Sequence, residues 1–179
     1  IRGGQKMTEF QAQDPNKVAN FVIDLGIKKD KKVTNLKLQK ILFFLQGYFL
    51  YSYNKRLING NFSKWKYGPV EEEVYYNNKE NGSSVIDSMP VTMNISEDNE
   101  ISIVMPQKLD DTDFKENEDV FKALTNFTDK LLDRNAWELV KLTHNHKSWR
   151  EHEDEILRYN AADYTDDEIK ECYEDMLLK

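Results

Sequence analysis

Three histidines, one cysteine and a glycine–proline corner are the features of this 179-residue chain whose types suit chemistry. His144, His146 and His152 fall close together in sequence. A structural zinc site takes four converging ligands, often including cysteine. On a helix, His144 and His146 point about 200° apart, and Cys172 lies twenty residues beyond His152. The set does not compose a metal site. His144 is better suited to tying backbone together near a corner through its ring nitrogens. Nucleophilic catalysis needs a Ser, Cys or Thr beside an activating base. Ser148 is near His146 but in no elbow motif, and Cys172 falls on an apolar helical stripe where a thiol is inert. With 32 Asp and Glu in the chain, no carboxylate pair is diagnostic. The residues carry no enzyme signature, and no catalytic group, metal ligand or cofactor is assigned.

The corner lies in "FSKWKYGPVEEEVYYN", residues 62–77. A strand-to-helix turn can present N–H groups to a phosphate. Pro69 removes one such donor. Glu71, Glu72 and Glu73 offset the positive helix end and repel an anion. No Gly-rich loop of nucleotide-binding spacing occurs. The stretch therefore reads as architecture. Residues 62–67 alternate as a half-buried strand that sets Trp65 and Tyr67 into the core. Gly68-Pro69 closes the strand and opens a helix over 69–81, with Val70 and Val74 stacked at i, i+4 and Gly82 as the stop.

The elements that position these residues follow from caps and periodicity. Asp14 and Pro15 start a helix with Val18, Phe21, Val22 and Leu25 on one face and Gly26 at its end. Thr34 caps "NLKLQKILFFLQGYFLYSY", which is apolar nearly all round and hence buried. Gln39 and Gln46 lie on one side of it, and a buried amide needs partners. Asn59-Gly60 predicts a type I′ hairpin. A second hairpin is expected from residues 91–95 and 101–105 around a polar turn. Residues 106–115 read as an acidic linker. A helix then places Val120, Phe121, Leu124, Phe127 and Leu131 on one face. Asn135 caps the next helix, a short charged one begins at Ser148, and Thr165 with Glu168 forms a capping box for the last. That last helix should dock Ile169, Cys172, Tyr173, Met176 and Leu177. The fold class is α+β, predominantly α-helical: a single compact domain with a buried central helix and one or two small antiparallel β-hairpins.

Charge is uneven. The net is −7, and residues 150–179 hold eleven acids against four bases, which equals the whole excess. Residues 28–40 hold six lysines and one aspartate. Such asymmetry suits a charged protein partner, while overall acidity argues against nucleic acid. No apolar run approaches the ~20 residues that span a bilayer. A lone cysteine fits a reducing cytoplasm. Residues 1–6, "IRGGQK", read as a cloning remnant before a native Met7, leaving 7–179 as the domain.

Three ordered motifs resemble one family. "VTNLKLQKILFFLQGYFL", "WKYGPVEEEVY" and "ELVKLTHNHKSW" are similar in order and spacing to the Panacea antitoxin domain, also called SocA-like. Leu38-Gln39-Lys40, Gln46-Gly47-Tyr48, Trp65, Gly68-Pro69-Val70, Val74-Tyr75, Thr143-His144 and Trp149 match its pattern over about residues 16–177. Members often carry an apolar residue and a proline where this chain has Glu71 and Glu72, and Gly-Pro-like residues at Lys147-Ser148.

The resemblance implies an intracellular bacterial or phage protein, without catalysis or cofactor, that neutralises a toxin encoded beside it. Toxins of such pairs are unrelated to one another and include alarmone-synthetase-like enzymes. It also leaves two alternatives: an adaptor that delivers the toxin to a protease, and a phage-borne protein that blocks a host factor. A third, from another class, is a hydrolase using His144. The expected contact residues are Lys37, Gln39, Lys40, Lys66 and His144, with the lysine turn at 28–32 and the acidic tail supplying specificity. The expected framework residues are Trp65, Gly68, Pro69, Val70, Tyr75 and Trp149.

Overall fold

In the computed structural model, which describes residues 9–115 and 117–178, a leader over 9–14 crosses to the end of a later helix, where Phe10 packs edge-on against Phe49 and Tyr53. The remnant expected at 1–6 lies outside those residues. Asp14 caps α1 (Pro15–Lys28), its Oδ1 accepting from the Asn16 and Lys17 amides at 2.9 and 3.2 Å. The helix runs through Gly26 rather than ending there. A Cβ at Gly26 would lie 2.7 Å from Val33 Cγ2, so the glycine serves close approach, and Asp30 (φ 53°) turns the chain.

Thr34 caps α2 (Asn35–Tyr53), and left-handed Asn54 ends it. Fourteen of its 19 residues are buried, because apolar side chains cover every side and α1, α4 (Glu118–Leu132), α5 (Ala136–Asn145) and α8 (Asp166–Leu177) surround it. The most extensive packing is on α8. Gly47 permits it, since a Cβ there would meet Tyr173 Cβ at 2.6 Å. Thr165 and Glu168 form the expected capping box, and Ile169, Cys172, Tyr173 and Met176 are buried. Leu177 stays half exposed. Between α5 and α8 lie two short helices, α6 (Lys147–Arg150) and α7 (Glu153–Leu157).

Asn59-Gly60 does not make a hairpin. Ile58 bridges in parallel to Gln13, and the Asn59 amide donates to the Gln13 carbonyl at 2.8 Å. The leader thus takes the hydrogen bonds that a local partner strand would have used. The hairpin comes later: β1 (Ser63–Trp65) pairs antiparallel with β2 (Gly68–Val70) around Lys66 and Tyr67. Gly68, at φ 95°, supplies the backbone that the reversal needs. The helix expected from Pro69 begins only at Glu72, as α3 (Glu72–Asn78), with Glu71 capping it by accepting from the Val74 amide. Val70 is therefore in a strand, and it does not stack on Val74 within one helix. Gly82 follows a further 3-10 turn as the stop.

The second hairpin forms as expected. β3 (Thr92–Ile95) pairs with β4 (Ile101–Val104), Met93 opposite Ile103 and Ile95 opposite Ile101. In the linker that follows, Leu109 and Phe114 join the core. The architecture is α+β and mostly helical, with one buried central helix and two small two-stranded sheets among the described residues.

Candidate binding groove

The β1–β2 hairpin, most of it the second motif, is held by residues from the first and third. From α2, Gln39 Oε1 accepts from the Glu71 amide at 2.8 Å, and Lys40 Nζ donates to the Pro69 carbonyl at 2.9 Å. From α6, Trp149 Nε1 donates to the Trp65 carbonyl at 3.0 Å. The His144 ring stacks on Trp149, centroids 3.8 Å apart, and bonds to the Lys66 backbone. From β1 itself, Lys64 reaches both carboxylate oxygens of Glu168 at 3.1 and 3.0 Å. Phe43, packed edge-on against Phe62 and Tyr164, lies beneath.

Burial sets the charges. Lys40 has no solvent exposure, and desolvation pushes its amine down to about 7. Burial first, then the Lys40 charge, lowers the His144 pKa, opposed by the Lys66 hydrogen bond. Burial raises the Glu71 pKa, against the bond from Val74 and reinforced by Glu73, Asp14 and Glu72. Gly68 completes the cluster: a Cβ there would sit 2.6 Å from Thr143 Oγ1 and 2.9 Å from Lys40 Cε.

Over this base opens a groove of about 830 Å³. Gln39, Lys40 and Val70 line its floor, and Trp65, Tyr75 and Trp137 its sides. Trp65 packs edge-on against Tyr75 at 4.8 Å, and Tyr67 against Trp137 at 5.7 Å. Tyr67, Trp137 and Tyr159 are exposed at 49%, 58% and 97%, so the rim presents aromatic surface to solvent. Lys66 and Lys79 sit over Tyr67 and Tyr76, while Glu72 and Asp163 both accept from Ser63. Aromatic bodies with a mixed polar edge are the composition of protein-binding surfaces.

Of the five expected contact residues, Gln39, Lys40, Lys66 and His144 converge here. Only Lys66 is exposed. Gln39 and Lys40 are buried, with their polar heads on backbone. Lys37 lies elsewhere, its Nζ on the Leu132 carbonyl at the end of α4 at 2.6 Å. The framework residues Trp65, Gly68, Pro69, Val70, Tyr75 and Trp149 all belong to the hairpin or touch it. Tyr67 departs from expectation: it is outside the core, because the strand turns at Lys66 instead of continuing. Trp65 is half-buried for the same reason. The strand's phase follows Phe62, which points inward and takes Lys64 with it.

The lysine turn is engaged internally. Lys29 and Lys31 pair with Asp129 at 2.7 Å, and Lys31 with Asp133 at 2.8 Å. Lys28 pairs with Asp24. His146 is buried, and it caps α6 by accepting from the Ser148 amide. Sequence reasoning passed over Trp137, although it falls off the face that Leu139, Val140 and Thr143 bury. Tyr159 had no such signal, since a left-handed turn after α7 places it.

No group of acids, histidines or cysteines among the described residues is arranged to hold a metal ion. No described helix is long and apolar enough to cross a membrane. A family model described as "Antitoxin SocA-like, Panacea domain" matches residues 38–150. The chain is 35% identical over 100 residues to the antitoxin SocA of Caulobacter vibrioides (strain NA1000 / CB15N). That match covers 56% of this chain and 53% of the relative, so the chain spans about half the length of the curated relative it matches. No solved structure matches it significantly. Residues 38–150 contain the clamped hairpin and most of the groove's lining, with Tyr159, Asp163 and the Glu168 that anchors Lys64 lying beyond them, and by that match the chain belongs to the SocA-like Panacea antitoxin-domain family.

Proposed function

We infer that this protein is the antitoxin of a toxin–antitoxin pair and neutralises its toxin by direct binding at the groove. One observation carries the reading. Family-typical side chains converge under a single open surface and hold it, while Tyr67, Trp137 and Tyr159 are exposed on its rim. A rigid platform with aromatic anchors loses little conformational freedom on binding, which favours affinity. Buried Gln39, Lys40 and Trp149 then serve the platform, and Lys66, Tyr67 and Trp137 meet the partner. Family-typical residues hold the scaffold while the rim chooses the toxin.

Co-expression with the product of the neighbouring gene tests this. That product should arrest growth alone and be tolerated with this chain present. Tyr67→Ala with Trp137→Ala should leave the melting temperature unchanged and weaken toxin binding by about 2 kcal/mol or more, as loss of aromatic anchors does. Full rescue by the double variant at low expression would move the contact away from the groove. Disappearance of the toxin, dependent on a cellular protease, would favour delivery over neutralisation.

A further inference from the structure

The β3–β4 hairpin carries an apolar face that nothing in the described chain covers. The register places Met93 opposite Ile103 and Ile95 opposite Ile101, and strand alternation puts all four on one side. They are exposed at 69, 66, 69 and 68%. Val91 and Met105 extend the apolar run at its base, exposed at 55 and 71%. The opposite side shows Thr92, Asn94 and Ser102, with Val104 as its one apolar residue. This is an amphipathic ribbon whose apolar side faces water. A lone two-stranded ribbon is marginal there, and a third layer or strand ordinarily completes it.

Charge says what completes it. Residues 87–107 contain Asp87, Glu97, Asp98 and Glu100 and no lysine or arginine. Three of these acids crowd the tip, where Ser96 and Asn99 close the turn. The nearest cation at the base, Lys108, is held by Asp24 at 2.5 Å. A second copy stacked tip to tip would set acid against acid, and one stacked tip to base would offer the tip only the already paired Lys108. A basic surface fits instead.

We propose that the Met93/Ile95/Ile101/Ile103 face is a second docking surface, completed by a basic partner protein that lays an apolar strip across it with lysine or arginine at the acidic tip. Resting on the antitoxin reading, that partner is the toxin, held at the groove and at the ribbon together. Two separated contacts on one partner raise affinity beyond either alone.

The test uses the full chain and the purified product of the adjacent reading frame. Ile95→Asn with Ile103→Asn changes only exposed side chains, so the melting temperature should hold while Kd rises about tenfold or more. Glu97→Gln, Asp98→Asn and Glu100→Gln together should flatten the salt dependence of binding. Wild-type affinity in the ribbon variant would overturn the proposal and leave the groove reading standing. If the wild-type chain does not bind that product, both fall. A dimer of the chain alone that the ribbon variant converts to monomer would assign the face to a second copy instead.

Discussion

Lys40 illustrates how a polar residue becomes architecture. Its ammonium is fully buried and donates to the Pro69 carbonyl, so burial dominates and the pKa falls to about 7. The unfolded value is about 10.4. Below pH 7 both states hold the proton, and the residue adds no slope. Between about pH 7 and 10.4 only the unfolded chain keeps it, so stability rises with pH, by at most about 1.4 kcal/mol per unit. Urea unfolding of wild type and Lys40→Met should therefore diverge in wild type's favour from pH 7 to 9. A constant difference would mean that the ammonium stays charged against the Pro69 carbonyl. Gly68 makes the arrangement sterically possible, which explains why these two residue types accompany each other in one site.

Gln46 does for the chain after α2 what Gln39 and Lys40 do for the hairpin. Its Oε1 accepts from the Leu57 and Ile58 amides at 3.0 and 2.8 Å, and its Nε2 donates to the Ile58 carbonyl at 3.2 Å. One side chain thus satisfies three buried backbone groups of an irregular segment. Gln46→Leu keeps the volume and strands all three. The expected loss is about 2–5 kcal/mol, with faster hydrogen exchange at Leu57 and Ile58. Unchanged exchange would show that water replaces the amide. Both glutamines were readable as buried amides in search of partners, but which loop each one holds was not, because the loop is brought there by α1's leader and by α3.

The two hairpins divide the molecule's tasks. The first is clamped at five points and shapes the groove; the second contributes no side chain to the core between residues 91 and 105. Replacing 91–105 by a short Gly/Ser linker should therefore shift the melting temperature by no more than about 4 °C, roughly 1 kcal/mol for a chain of this size. A larger fall would give the ribbon a structural role. The expected surface of cationic specificity, the lysine turn, is joined to Asp129 of α4 and to Asp133 at its C-terminal cap, while the acidic tail supplies Glu168 to Lys64 and Asp166 to Arg56. Part of the charge segregation along the sequence thus becomes internal pairing once the chain is folded.

Local physics wrote much of this protein legibly. Caps at Asp14, Thr34, Asn135 and Thr165, the all-round apolar α2 and the alternating ribbon each depend on neighbours a few residues away, and all formed where they were expected. The ordered motifs also announced the family. Tertiary structure decided the rest. Asn59-Gly60 makes no hairpin because Gln13 takes the backbone groups of Leu57 and Asn59. Gly68-Pro69 became a strand because it pairs with β1 and Lys40 takes the Pro69 carbonyl, while Gln39 holds the Glu71 amide just beyond. Lys37 and Lys40, expected at a surface, went inside because carbonyls of distant elements accept from them there, while Lys66 stayed exposed. A hydrogen bond to residues 29 or 95 positions away leaves no periodicity in the sequence, and only packing the helices together creates it.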